Sequence, residues 1–213
     1  MRTASTKPPT VVRVLGLDPG SRLTGWGIVD CVGGRVVHVA SGTLKAIQGE
    51  GGERFGARLH LIFTGIQTLC AEYQPHEVAV ERVFVHKNPD SALKLGQARG
   101  AALCAAWAAA PGALAEYAPR EVKQAIVGTG GADKLQVEAM VRRLLSIDGK
   151  LGADAADALA IALCHAHTRS SPAARAAALV AGSAVAPVAA RRRSSRAAWT
   201  AALAGRVDGG GGR

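Results

Sequence analysis

The four cysteines of this 213-residue chain, Cys31, Cys70, Cys104 and Cys164, form no Cys-x-x-C pair and no zinc spacing. That removes zinc-ribbon and dithiol-redox readings and leaves reduced thiols in a cytoplasmic protein as the expectation. Aromatic residues are only 4% of the sequence, and alanine supplies much of the 48% apolar share. The most apolar stretch, Ala101 to Ala115, is broken by Pro111 and Gly112, and it is too short and too weakly hydrophobic to span a bilayer. No membrane association is expected. Residues 1–10 are polar and contain proline, without the apolar centre of a secretory signal. From Ser170 onward lysine is absent, and a single acid, Asp208, faces seven arginines. That tail therefore carries six of the ten net positive charges, leaving four for residues 1–169.

The length suits one domain with flanking segments. Residues 1–10 read as a flexible leader, 11–168 as the folded domain, and 169–213 as a disordered tail of Ala, Arg, Ser, Val, Pro and Gly without a lasting apolar face. Within the domain, Val11–Leu17, Trp26–Val32 and Arg35–Leu44 read as successive antiparallel strands, with Gly33-Gly34 as a hairpin turn. A helix follows, carrying Leu59, Ile62, Phe63, Ile66, Leu69 and Cys70 on one face. Glu77–Val83 is the next strand. Asp90 or Ser91 is expected to cap a second helix, Leu114–Ala118 to form a short strand, and Pro119 to open a third helix. Asp133 caps a helix running through Leu145, and a last helix spans Ala153 to about His167. The order βββαβαβααα predicts an α/β fold with a mixed five-stranded sheet flanked by helices, not a doubly wound parallel sheet.

Four carboxylates carry the chemistry. Asp18 closes the apolar run Val14-Leu15-Gly16-Leu17 and precedes Pro19-Gly20, where proline cannot continue the ladder. Its side chain is left at a sheet end, and Gly20, Gly25 and Gly27 are expected to admit a phosphate backbone. A turn-capping Asp looks the same, and a similar hairpin opens actin-like ATPases, which need two such domains and hence a longer chain. Glu81 ends the run Val78-Ala79-Val80; an edge glutamate paired with Arg82 or Lys87 is the alternative. Asp154 and Asp157 stand at i and i+3, on one helical face, among alanines that permit close packing on a sheet. Acids in a first turn also complement the helix dipole. If the four converge, they are too repulsive to stay ionised without cations, and Mg²⁺ or Mn²⁺ suits an all-oxygen set acting on phosphate.

Lys123 and Lys134 flank the glycine-rich residues 128–131 and can neutralise charge at a scissile phosphate; solvated helix lysines read identically. Phe84, a lone aromatic between Arg82 and Lys87, suits either stacking on an unpaired base or a core position. With those two basic neighbours it forms the candidate DNA-binding set. His165 and His167 read as helix-end residues.

These residues fall in stretches that resemble the RuvC family of Holliday-junction resolvases. The stretches are Leu15-Gly-Leu-Asp-Pro-Gly-Ser-Arg-Leu-Thr-Gly-Trp-Gly27, Glu81-Arg-Val-Phe84, Lys87-Asn-Pro-Asp-Ser-Ala-Leu-Lys-Leu-Gly-Gln-Ala-Arg-Gly100, Val122-Lys-Gln-Ala-Ile-Val-Gly128 and Ala153-Asp-Ala-Ala-Asp-Ala-Leu-Ala160. Pro89 stands where a small residue is expected, at a helix start that tolerates it. The resemblance covers about residues 11–168. It implies an RNase H-like fold and symmetric, metal-dependent nicking of two strands of a four-way DNA junction in recombination and repair. It also implies a homodimer and partnership with the RuvA–RuvB branch-migration complex. Asp18, Glu81, Asp154 and Asp157 fall on the family's metal-binding catalytic acids, expected to hold two Mg²⁺ ions, with Mn²⁺ possible. Lys123 and Lys134 fall on basic catalytic positions, and Phe84 on the base-stacking aromatic. The small-residue side of the helix Ser91–Ala109 is the expected dimer interface. A YqgF-type nuclease would lack the Lys94–Gly100 stretch, and a non-catalytic junction binder would lack one of the four acids.

Overall fold

The computed structural model describes residues 10–46, 54–82 and 88–170. Ten elements follow the expected order: β1 (Val12–Asp18), β2 (Leu23–Val32), β3 (Arg35–Lys45), α1 (Phe55–Tyr73), β4 (Glu77–Glu81), α2 (Pro89–Ala109), β5 (Leu114–Tyr117), α3 (Pro119–Val127), α4 (Lys134–Leu145) and α5 (Ala153–Arg169). The strands lie in the order β3-β2-β1-β4-β5. β1, β2 and β3 form an antiparallel meander, whereas β4 runs parallel to both β1 and β5. The β2–β3 turn has Gly33 and Gly34 at φ +57° and +85°, the left-handed conformations that a two-residue hairpin of this hand requires.

The sheet is covered on both faces. Leu15, Leu17, Ile28, Val78 and Val80 point toward α1 and α2, where they meet Ile62, Ile66, Ala98, Ala102 and Ala105. Val14, Val29 and Ala79 point the other way, toward α3, α4 and α5. Strand alternation therefore puts Asp18, Glu77 and Glu81 on the α5 side, each two residues from Gly16 or Ala79.

α5 is the most buried helix, with every residue from Leu159 to Ala166 sequestered. It lies on the sheet at backbone distance. A Cβ at Gly16 would stand 2.1 Å from the Ala158 carbonyl oxygen, and one at Gly25 2.1 Å from that of Asp154. Gly27 is packed against the Leu159 side chain, 2.7 Å from where its own Cβ would stand. Gly25 and Gly27 thus admit a helix; the expected approach of a phosphate backbone at these two positions is corrected.

Two further expectations change. Asn88, not Asp90 or Ser91, caps α2: its side chain accepts from the backbone N–H groups of Asp90 and Ser91, and Pro89 takes the first helical position, where no N–H is needed. The small-residue side of α2, with Ala98, Ala102, Ala105 and Ala106, packs inside the chain beside the residues of α1. The outward side carries Leu93 and Trp107, both exposed. No helix among the described residues is long and apolar enough to cross a membrane.

Candidate active site

The parallel register of β1 and β4 pairs Leu17 with Val80, so Asp18 and Glu81 stand side by side where the two strands end. α5 crosses this sheet end with Asp154 and Asp157 in its first two turns. Asp18, Glu81, Asp157, Lys123 and Lys134 all line one cleft of about 300 Å³, closed by Pro119, Val122, Val137 and Ala160. Asp154 sits at its rim, 3.5 Å from the Thr43 hydroxyl of β3, which donates to its Oδ2. The structure thus brings together the four acids and both lysines that the sequence singled out, from five different elements.

The acids are strained electrostatically. Burial, then Asp157 and Asp154, push the Asp18 carboxyl up to about 6, against relief from Lys134. Burial, then Asp18 and Asp157, push Glu81 up to about 7. Lys134 Nζ is 2.7 Å from Asp157 Oδ2, and that bond raises the lysine above its ordinary value. Lys134 follows the N-cap Asp133, whose side chain accepts from Gln136 N–H, so the start of α4 fixes where the ammonium stands.

Among the described residues, no three acids, histidines or cysteines are drawn together as a ready-made metal cage. The donor set is nonetheless all oxygen, and burial together with neighbouring acids raises two of its members above the ordinary carboxylate range. Those are the features a hard divalent cation satisfies. No histidine or cysteine lines the cleft.

Arg82 turns its guanidinium to the Glu116 carbonyl and to Glu121 Oε2, each at 3.3 Å. Phe84 and Lys87 lie outside the described residues. Arg99, which was not singled out as a site residue, donates from Nε to the Glu81 carbonyl oxygen at 3.0 Å and pairs with Glu116, tying the end of β4 to α2 and β5. Its place in the Lys94–Gly100 stretch was the available signal.

An acid-bearing helix laid over the parallel ends of a mixed five-stranded sheet defines an RNase H-like nuclease. The RuvC family model, crossover junction endodeoxyribonuclease RuvC, matches residues 14–165. The crossover junction endodeoxyribonuclease RuvC of Halorhodospira halophila is 56% identical over 164 residues, covering 76% of this chain and 94% of its own. That of Shewanella piezotolerans is 51% identical over 162 residues, covering 76% and 90%. Among solved structures, T. thermophilus RuvC in complex with a Holliday junction substrate superposes with a TM-score of 0.66 at 34% identity, covering 74% of this chain and 95% of that one. This chain belongs to the RuvC family of crossover junction endodeoxyribonucleases.

Proposed function

We propose that this protein resolves Holliday junctions by nicking two strands symmetrically, with Mg²⁺, and with Mn²⁺ as a substitute. The observation that carries the reading is the cleft itself: Asp18, Glu81 and Asp157 converge with Lys123 and Lys134. Asp18 and Glu81 face each other as the inner pair of ligands, Asp157 completes the wall, and Asp154 reaches in from the rim. Asp18, Glu81, Asp154 and Asp157 would hold two such ions, which would supply an activated water and charge stabilisation for the leaving 3′ oxygen of an in-line displacement. Lys134, already paired with Asp157, and Lys123 opposite it provide fixed positive charge for the phosphate that enters between them. Arg82, Lys87 and Phe84 are assigned to the DNA on the same side, Phe84 by stacking on an unpaired base.

Two equivalent nicks on a four-way junction need two copies of this cleft related by a two-fold axis, so the active species is a homodimer. The outward side of α2, with Leu93 and Trp107, offers the apolar surface for it. The RuvA–RuvB branch-migration complex is the assigned partner on the junction. Arg169, expected at the start of the tail, is the last residue of α5, and the residues beyond Ser170 are assigned an accessory basic role that adds phosphate contacts without fixing sequence. The reading places the protein in the cytoplasm.

The test is a labelled four-way junction incubated with the full chain, with and without Mg²⁺, and the nicks mapped on all four strands. Paired nicks at symmetric positions, dependent on the cation, are expected. Cation-independent cutting, or cutting of one strand alone, would overturn the reading.

A further inference from the structure

At the far end of α5 lies a second polar cluster that the cleft does not use. His165, buried among apolar residues, places Nε2 2.7 Å from Glu77 Oε2 and Nδ1 2.7 Å from the Tyr117 hydroxyl. Arg169, one turn further, grips the same carboxylate with both Nε and Nη2, at 2.8 and 3.0 Å. A neutral imidazole satisfies every group: the tyrosine O–H donates to Nδ1, and Nε2–H donates to Glu77. The cluster joins α5 to the first residue of β4 and the last residue of β5.

We propose that Glu77, Tyr117, His165 and Arg169 are positioning residues that set how far α5 is advanced along the sheet, and hence where Asp154 and Asp157 stand relative to Glu81. The inference rests on the metal-dependent reading of the cleft. Its geometry is that of two rods pinned at one end. Asp157 and His165 are eight residues apart on α5, about 12 Å along its axis. Glu81 and Glu77 are four residues apart on β4, about 13 Å. A pin between His165 and Glu77 therefore fixes the separation of Asp157 and Glu81 at the other end.

The contacts nearer the cleft cannot do this alone. Gly16 and Gly25 let the α5 backbone at Ala158, Ala162 and Asp154 come close, and Gly27 meets the Leu159 side chain, but these close-packing contacts are not directional. Hydrogen bonds on both imidazole nitrogens and a two-point guanidinium contact are directional and resist both sliding and rotation. A displacement of about 1 Å among reacting groups can cost on the order of a hundredfold in rate, so a small slip of α5 is sufficient to matter.

The experiment measures Mn²⁺ binding to the full chain without DNA, by electron paramagnetic resonance or calorimetry, alongside junction binding without metal and thermal melting. The variants are Tyr117→Phe, His165→Phe, His165→Gln and, as reference, Asp157→Asn. Tyr117→Phe and His165→Phe are expected to raise the Mn²⁺ Kd about tenfold. Metal-free junction binding should stay within about twofold, because it rests on basic groups and phosphates. His165→Gln, which keeps a donor toward Glu77, should recover most of the affinity. Should His165→Phe fail to fold, Tyr117→Phe decides, since it removes one hydroxyl only. A lowered melting temperature with an unchanged Mn²⁺ Kd in Tyr117→Phe would reduce the cluster to a stabilising contact and overturn the inference alone. Unchanged Mn²⁺ binding in Asp157→Asn would sink the metal reading, and the inference with it.

Discussion

Glu77 and Glu81 are the same residue type, four positions apart on one face of one short strand, and they are held in opposite states. Glu77 meets His165 and Arg169, and those bonds bring its carboxyl down to about 2. Glu81 meets burial, Asp18 and Asp157, and is pushed up to about 7. The first carboxylate is fully answered by the chain's own donors, the Arg169 guanidinium and the His165 ring N–H. The second is set against other acids in a cleft whose nearest cation, Lys134, is already bound to Asp157. A carboxylate supplied with partners serves the fold; one denied them awaits a cation from outside.

The comparison can be broken most completely at the cleft. Asp18→Asn should abolish cleavage at ordinary Mg²⁺ while leaving junction binding intact, read by nicking and gel-shift assays on one preparation; retained cleavage would show that the acid pair is not the metal site. Next is the seating of the helix between the two ends. Gly16→Ala puts a methyl group into the Ala158 carbonyl and the Ala162 backbone, neither of which has side-chain freedom to give way. A loss of about 3 kcal/mol is expected, or roughly 6–12 °C in melting temperature.

The two glutamates can then be neutralised in turn. Glu77→Gln should cost about 2 kcal/mol for lost charge-assisted bonds, or roughly 4–8 °C, whereas Glu81→Gln should leave the metal-free melting temperature unchanged or higher. Equal losses in both would erase the distinction.

The smallest effect is the dependence on pH. Asp18 and Glu81 have folded-state values raised above the unfolded ones, so their contribution is complete below the ordinary carboxylate range and lost as pH rises through about 6 and about 7. Glu77 acts in the other direction: its contribution is present above the ordinary range and lost as pH falls toward about 2. Metal-free melting temperature should therefore decline from about pH 5 to about pH 8, and saturating Mg²⁺ should flatten the decline. A decline of the same slope in Glu81→Gln would show that the acid pair is not its cause.

The cleft was more legible in the sequence than the cluster opposite it. Asp18 and Glu81 announce themselves because each ends an apolar run, and Asp154 and Asp157 because their spacing of three puts them on one helical face. Local pattern also located all ten elements, since strands with β-branched runs and helices with caps are decided within a few residues. Glu77, Tyr117, His165 and Arg169 come from three elements, their bonded pairs lie 48 to 92 positions apart, and no local pattern joins them. The one hint was an acid at a strand position that alternation turns toward the core. Gly25 and Gly27 were misread because a glycine records only that something comes close; that the visitor is α5 and not DNA depends on the whole topology. The alanine side of α2 was assigned to a partner chain for the same reason, when α1 lay nearer.

The seating of α5 on Gly16, Gly25 and Gly27 has a consequence for how the protein softens with heat. Where backbone meets backbone, as at Gly16 against the Ala158 carbonyl and Gly25 against that of Asp154, there are no rotamers to exchange, so this contact has no intermediate, partly loosened packing available to it. The helix either rests on the sheet or leaves it. Loss of site geometry and loss of the fold should thus belong to one cooperative event, and amides of α5 should exchange with solvent only through global opening, at the slow limit of the whole domain.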